Sequence, residues 1–238
     1  MKLFLVLTFL FFVGSLLGWT IEVLWRRFFS SNNPEHKWLN PGFLTGPYLP
    51  LYGFSLVILF LLTFIDVSYI ENIILAKIVL FVLMALSITV FEYIAGLIFI
   101  VGMKIKLWDY SSCWGNIKGI ICPLYSFFWY LLSAAYYFLI HPKVCNWLYW
   151  FTNHIEFSFV VGFFYGVFAI DVSYSFNLMT KIRKFAKENE LVLHLESLQR
   201  HMRKINEERR EKLHFWFTMK VENSPLNENL RNFLLRRK

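Results

Sequence analysis

The stretch "IVLFVLMALSITVFEYIAGLIFIVGM", from Ile78 to Met103, is 26 residues long and carries a single charged side chain, Glu92. An α-helix needs about 20 mostly apolar residues to cross the hydrocarbon core of a bilayer, which is about 30 Å thick. A helix that is apolar on every side belongs in a membrane or in the core of a large protein. The stretch therefore predicts a membrane-spanning helix.

Similar apolar runs lie on both sides of it, in a chain of 238 residues that is 57% hydrophobic and 17% charged. Soluble domains are less apolar and more charged than this. The sequence predicts an all-α fold, a polytopic transmembrane helical bundle of about five spans over residues 1–178. Besides Ile78–Met103, the predicted spans are Leu3–Trp25, Tyr48–Ile65, Ile117–Ile140 and Ile155–Leu178.

The distribution of Lys and Arg predicts the orientation of these spans. Cytoplasmic loops carry an excess of basic residues, and the first and third loops contain Arg26, Arg27, Lys37, Lys104, Lys106 and Lys118. The second and fourth loops offer only Lys77 and Lys143. We expect the N-terminus outside the cell and the C-terminus in the cytoplasm.

Residues 179–238 form a basic segment that differs in composition from the rest. They hold 15 of the 24 Lys and Arg and 8 of the 16 acidic residues, a net charge of +7 out of +8. Apolar residues at alternating steps of four and three, from Leu191 to Ile205, predict a helical stripe. We expect a cytoplasmic helical tail attracted to anionic lipids. Nucleic-acid binding is not expected, because no recognised module accompanies the charge.

A nine-residue pattern occurs twice. "GPYLPLYGF" (Gly46–Phe54) and "GIICPLYSF" (Gly119–Phe127) share the form GxxxPLYxF and lie 73 positions apart. Glu22 and Glu92, in the preceding spans, lie 70 positions apart. We infer a tandem repeat of a two-helix unit, in which the first two spans match the third and fourth.

The repeated pattern also predicts an irregular entry into each even-numbered span. Proline lacks an N–H and glycine allows unusual dihedral angles, and irregular backbone at membrane depth is tolerated only against protein or a cavity. Internal repeats with broken helices line the sites of many transporters. The alternative is that proline simply occupies the first turn of a helix. The candidates for a substrate pathway in this pattern are Gly46, Pro50, Tyr52, Gly119, Pro123 and Tyr125.

Three acidic residues in the predicted spans are further candidates for that pathway. A charged side chain within a membrane is costly and usually faces a bundle interior or a cavity, which makes Glu92 the foremost of them. Glu22 stands four residues before Arg26, so an ordinary ion pair along the helix is an alternative. Asp171 lies in the inner half of the fifth span, where an interfacial position is the alternative. If the three converge, they form a cluster that attracts protons or cations.

Motifs for other chemistries are missing from the sequence. No H-E-x-x-H metal motif, no G-x-S-x-G nucleophile motif and no phosphate-binding GxxxxGK[ST] loop occurs. The sequence therefore predicts no metal site, no cofactor and no enzyme activity of its own. Two alternatives stay open: a membrane-embedded enzyme acting on lipid or peptide through Glu92, Asp109, Tyr52 and Tyr125, and a non-catalytic scaffold or regulatory subunit acting through the tail.

Four segments together carry a family resemblance: "GWTIE" (Gly18–Glu22), "NPGFLTGPYLPLYG" (Asn40–Gly53), "WDYS" (Trp108–Ser111) and "NIKGIICPLYSFFW" (Asn116–Trp129). They resemble the bacterial integral membrane family called putative ABC-transporter permease, type IV. The resemblance covers roughly residues 11–142.

Membership would imply a permease-like protein of the plasma membrane that works with a separate ATPase subunit, on a substrate that the resemblance does not name. Such a subunit would dock on the cytoplasmic loops, with Trp108, Asp109 and Tyr110 as candidate contacts, or on the tail. Five spans per chain would also favour a homo-oligomer or hetero-oligomer.

Overall fold

The computed structural model describes residues 2–30, 33, 36–188, 193–194 and 197. Nearly all of the described secondary structure is helical, so the predicted all-α fold is confirmed. The helices are α1 (Lys2–Phe28), α2 (Pro50–Leu62), α3 (Ile73–Leu97), α4 (Pro123–Ala135), α5 (His141–Asn153) and α6 (Ser158–Glu188). Two π-helical turns, Ile98–Met103 and Tyr136–Ile140, follow α3 and α4, and a 3₁₀ turn, Ile155–Phe157, precedes α6.

Four helical segments are long and apolar enough to cross a membrane: Leu3–Phe28, Ile73–Met103, Pro123–Asn153 and Ile155–Asn177. The helix of the second predicted span, α2, is also apolar but has only 13 residues. At 1.5 Å per residue, these correspond to about 20 Å. Large apolar side chains on the helices remain exposed, among them Phe159 at 78% and Ile170 at 73%. Lipid tails cover such surfaces without the cost that water would impose. The chain is a multi-pass membrane protein.

The helix starts follow from local sequence. Pro50 and Pro123 occupy the first turns of α2 and α4, each after an extended residue, Leu49 or Cys122. Proline fits there because its missing N–H would have no partner within the helix. The Asn72 side chain accepts N–H groups of the first turn of α3, as an N-cap residue does.

The fourth predicted span differs in its bounds from Ile117–Ile140. Residues 117–121 form a tight turn with a bridge between Ile117 and Ile121, in which Lys118 and Gly119 have φ values of 54° and 68°. Helical backbone is impossible at such angles, so α4 begins at Pro123. Helical structure then continues through the π-turn into α5 and ends at Asn153.

The chain divides into two compact units. The larger unit, residues 1–97 and 109–176, has its apolar core among Leu10, Leu59, Phe60, Leu80, Phe81, Met84, Ile88, Tyr136, Val144 and Leu148. A second buried cluster in this unit contains Phe11, Leu44, Tyr48 and Phe164. The smaller unit comprises residues 98–108 and 177–238. In it, β1 (Ile105–Lys106) pairs in parallel with β2 (Leu193–His194).

Most of the predicted helical tail lies outside the described residues. Its first ten residues, 179–188, continue α6, and Leu193–His194 form the short strand β2. The division of the chain at residue 178 and the apolar stripe from Leu191 to Ile205 stay predictions.

Candidate membrane carboxylate site

Glu92 lies on α3 with only 3% of its surface exposed. The Trp129 indole Nε1 donates to its Oε2 at 2.9 Å, and the Tyr110 hydroxyl donates to its Oε1 at 3.1 Å. Within the described residues, no Lys, Arg or His forms an ion pair with this carboxylate. Burial of an ionised carboxylate without a countercharge is costly. Two neutral hydrogen-bond donors therefore hold the Glu92 carboxylate, which a bound proton or cation would stabilise.

The loop between β1 and α4 brings Tyr110 to Glu92. The Tyr110 N–H donates to the Gly119 carbonyl at 2.8 Å, and the Gly119 N–H donates to Asn116 Oδ1 at 3.0 Å. The left-handed backbone at Gly119 closes this turn at no steric cost. Burial, and then the negative charge and hydrogen bond of Glu92, raise the pKa of Tyr110 well above its usual range. The hydroxyl therefore stays protonated and able to donate.

Tyr125, the tyrosine of the second PLY unit, stacks on Tyr110. Their ring centroids are 4.1 Å apart and the rings are nearly parallel, at 12°. Tyr125 lies in the first turn of α4, two residues after Pro123. The start of this helix therefore supports the ring that reaches Glu92.

Glu22 has two partners, one of which is the ion pair expected from its position in the sequence. Arg26 Nε donates to Glu22 Oε1 at 3.1 Å, which is the expected ion pair along α1. The Tyr52 hydroxyl donates to the other oxygen, Oε2, also at 3.1 Å. Tyr52 is the tyrosine of the first PLY unit and lies on α2. The carboxylate of Glu22 thus has a countercharge, unlike that of Glu92.

Tyr52 joins the two carboxylates into one cluster. Its ring contacts Trp129 edge to face, with centroids 6.3 Å apart. Tyr52 donates to Glu22 and Trp129 donates to Glu92, so the contact between their rings connects the two carboxylates. We call Glu22, Tyr52, Glu92, Tyr110 and Trp129 the carboxylate site.

Small residues let α1 and α2 come close enough to place Tyr52. A Cβ added at Gly18 would lie 2.2 Å from the Tyr52 Cβ, and one added at Gly53 would lie 2.7 Å from the Phe11 carbonyl oxygen. Gly14, one turn before Gly18, would clash with Leu56 at 2.9 Å. The Gly14-x-x-x-Gly18 spacing is the small-residue pattern of closely packed membrane helices.

Asp171 does not contact the other two acids and has a separate set of partners. It lies on α6, 8% exposed, and accepts hydrogen bonds from the Gly46 N–H at 2.8 Å and the Tyr48 hydroxyl at 2.6 Å. The Thr45 N–H and hydroxyl and the Ser175 hydroxyl also donate to it. We call Asp171 with these four partners the Asp171 clamp. It ties the chain before α2 to α6.

The irregular entry into α2 is present, and several of its polar backbone groups form hydrogen bonds with the protein. Residues 42–47 are a series of bends, and the Leu49 N–H donates to the Ser15 carbonyl of α1 at 3.0 Å. Gly46 belongs to the Asp171 clamp, and Pro50 begins α2. Burial, and then the hydrogen bond and charge of Asp171, raise the pKa of Tyr48 above its usual range. The role of this entry as a pathway stays a prediction.

The three candidate docking residues have different surroundings. Asp109 is exposed, and its Oδ1 accepts the Ser111 N–H at 3.0 Å. Trp108 is half-buried in the smaller unit. Tyr110 turns its hydroxyl to Glu92, so it belongs to the carboxylate site.

Sequence reasoning missed Trp129, Thr45 and Tyr48 as partners of the acids. Trp129 stands four residues after Tyr125, so both lie on one face of α4, and that spacing could have indicated it. Thr45 and Tyr48 lie 126 and 123 residues from Asp171. No local pattern indicates contacts over such a separation.

Comparisons with known proteins agree with the family resemblance. The model of the family described as "Putative ABC-transporter type IV" matches residues 9–176. No curated protein and no solved structure is significantly similar to the chain. The family match covers more than half of the chain, including all of the carboxylate site and the Asp171 clamp. The chain therefore belongs to the ABC-transporter type IV family that this model describes.

Proposed function

We propose that the chain is a permease-like subunit of an ABC transporter in the plasma membrane, with the carboxylate site on its substrate pathway. The observation that carries the proposal is the buried Glu92 carboxylate, which has two neutral donors and no basic partner within the described residues. An ionisable residue inside a membrane usually marks a substrate or ion pathway.

Glu92 is the group that takes up a proton or a cation during transport. An ionised carboxylate at this position is stabilised when a positive charge arrives, and a protonated one loses that attraction. Glu22 already has Arg26 as a partner, so its charge is partly neutralised. The two carboxylates therefore differ in their ability to bind a positive charge.

The proposed two-helix repeat gives each even-numbered helix a similar task. In both halves a PLY unit begins a helix with proline in its first turn. That helix then directs an aromatic donor to the acid of the preceding long helix, Tyr52 to Glu22 and Trp129 to Glu92. The donors stand at different positions of the pattern, so the halves have diverged in detail.

A separate ATPase supplies the energy, because the chain has no phosphate-binding loop of its own. It docks on the cytoplasmic side, at the first and third loops, where Trp108 and Asp109 lie, or at the basic tail. The excess of Lys and Arg supports the topology with the N-terminus outside and the C-terminus in the cytoplasm. A dimer or hetero-oligomer completes the pathway.

The chain itself is not an enzyme in this proposal. An enzyme acting through Glu92 and Asp109 would need both acids at one reacting centre. Asp109 is exposed and bonded to the Ser111 N–H, whereas Glu92 is buried. The scaffold alternative depends on the tail, and it predicts that removal of residues 179–238 abolishes function while Glu92→Gln is silent.

The test is purification of the tagged protein from gently solubilised native membranes, with identification of co-purifying proteins and an ATPase assay. We expect a stoichiometric nucleotide-binding subunit. Glu92→Gln should leave that assembly intact and lower its transport-coupled ATPase rate about tenfold or more, since a barrier higher by about 1.4 kcal/mol slows a reaction tenfold.

Glu71→Gln is the matched control, because it makes the same change at an exposed loop carboxylate. It should change neither assembly nor rate. Recovery of the protein without any ATPase would refute the ABC permease function. Recovery of the ATPase with equal ATPase rates in Glu92→Gln and Glu71→Gln would refute only the role proposed for Glu92.

A further inference from the structure

A cysteine and a histidine outside the carboxylate site form a hydrogen-bonded pair at the start of α5. Cys145 Sγ lies 3.5 Å from His141 Nε2, one helical turn away. The other ring nitrogen of His141, Nδ1, lies 3.2 Å from the Tyr136 hydroxyl. Tyr136 is buried, at 1% exposure, whereas Cys145 is exposed. A thiol beside an imidazole that is itself oriented by a third group is the arrangement of an activated nucleophile.

The backbone around this pair is irregular, and the imidazole is held on several sides. The π-turn Tyr136–Ile140 comes directly before His141, and Pro142 comes directly after it. Single π-turns within helices often occur at functional sites. The His141 ring lies parallel to Tyr137 with centroids 6.4 Å apart and 6.0 Å from the ring of Phe60 on α2. These contacts keep Nε2 directed at the thiol.

Cys145 is exposed and lies toward one end of its helical segment. Pro123–Asn153 contains 31 residues, about 47 Å of helix, which exceeds the hydrocarbon core of about 30 Å. The end that contains Cys145 also carries Lys143, Asn146 and Trp147. Such residues collect at the interface between membrane and water.

We propose that Cys145 is a nucleophilic thiol, activated by His141, that undergoes thiol–disulfide exchange with low-molecular-weight disulfides. His141 Nε2 takes the thiol proton, and the Cys145 sulfur attacks one sulfur of the disulfide. The disulfide bond breaks as the new S–S bond forms, and the leaving thiolate takes the proton from His141. The products are a mixed disulfide on Cys145 and one free small thiol, so electrons and protons balance.

Within the part of the chain that the structure describes, few groups face His141. Tyr136, Tyr137 and Cys145 are the titratable ones among its recorded contacts, and all three lie on its own helical segment. From α2 the neighbour is Phe60, which does not titrate. The imidazole Nε2 lies within hydrogen-bond distance of the thiol and can accept its proton.

The experiment uses the full chain in detergent, incubated with oxidised glutathione, with the mixed disulfide at each cysteine measured by peptide mass spectrometry. We expect Cys145 to react about tenfold faster in the folded chain than in the chain unfolded by denaturant, where the His141 contact is lost. Cys113 serves as the slow comparison, because desolvation and the neighbouring Cys122 thiol raise its pKa.

His141→Gln should slow the reaction of Cys145 about tenfold, the effect expected of a lost imidazole neighbour. His154→Gln is the matched control, because His154 bonds to the Trp150 carbonyl and has no recorded contact with Cys145. Free imidazole should restore part of the rate in His141→Ala. Equal rates in His141→Gln and His154→Gln would overturn the proposal. So would equal rates in the folded and unfolded wild type, a comparison that needs no variant to fold.

Discussion

The close approach of α1 and α2 at Gly18 makes a quantitative prediction. In Gly18→Ala the new methyl would lie 2.2 Å from both Cβ and Cγ of Tyr52. Carbon atoms in favourable contact are about 3.5–4.0 Å apart. The Tyr52 Cβ is fixed to the backbone, so rotation of the side chain cannot relieve the clash. The two helices would have to separate by about 1.5 Å, the difference between these distances.

Three contributions determine how much stability Gly18→Ala loses. Overpacking a tight interface costs about 2 kcal/mol, and losing the Tyr52 hydrogen bond to the charged Glu22 costs about 2 kcal/mol more. Replacing glycine by alanine in a helix returns about 1 kcal/mol. The net loss is about 3 kcal/mol, which corresponds to a Tm about 6–12 °C lower for a domain of this size.

Thermal unfolding of the purified protein in detergent, followed by circular dichroism, measures this shift. Gly162→Ala is the control, because nothing lies within 4 Å of a Cβ at this position of α6. It should leave Tm unchanged or raise it slightly. If Gly18→Ala and Gly162→Ala melt at the same temperature, the close packing of α1 on α2 is refuted.

The remaining predictions concern the acids and their donors. Asp171→Asn removes a carboxylate that accepts hydrogen bonds from several donors, among them the Gly46 N–H and the Tyr48 hydroxyl. It should lower the free energy of unfolding by about 2–4 kcal/mol and make proteolysis of residues 42–49 faster. An unchanged proteolysis rate would contradict the Asp171 clamp. Trp129→Phe should lower Tm by removing the indole donor to Glu92, at a cost of about 1–3 kcal/mol, whereas an unchanged Tm would argue against that bond. The pKa of Tyr110 is raised in the folded chain, so stability is retained below the ordinary tyrosine pKa of about 10 and falls as the pH rises above it. Alkaline denaturation should therefore be less steep in Tyr110→Phe, and identical profiles would contradict the buried hydroxyl.

The fold was predictable because membrane helices must satisfy their own backbone hydrogen bonds and face lipid with apolar side chains. Those requirements leave long apolar runs, and four of the described helical segments correspond to them. The bounds were harder to predict. The sequence of residues 117–121 is apolar enough to continue a helix, but the left-handed backbone at Lys118 and Gly119 prevents it.

The site was predictable in part. Glu92 stood out because an acid within a long apolar run is costly, and it lies buried against two donors.

The glycine pairs could not be distinguished by sequence. Gly162 and Gly166 share the spacing of Gly14 and Gly18, yet only the pair on α1 packs closely. Which helix lies against a glycine depends on the arrangement of the bundle.

The sequence by itself determined the class of protein, the presence of long apolar helices and the acids that cost energy in a membrane, because all of these follow from composition and local spacing. Only the tertiary structure decided that the donors to Glu22 and Glu92, Tyr52 and Trp129, contact each other. It also decided that Asp171 binds Thr45, Gly46 and Tyr48. Side chains far apart in the chain become neighbours through helix packing. That packing depends on shape along whole helix faces, which no short stretch of sequence contains.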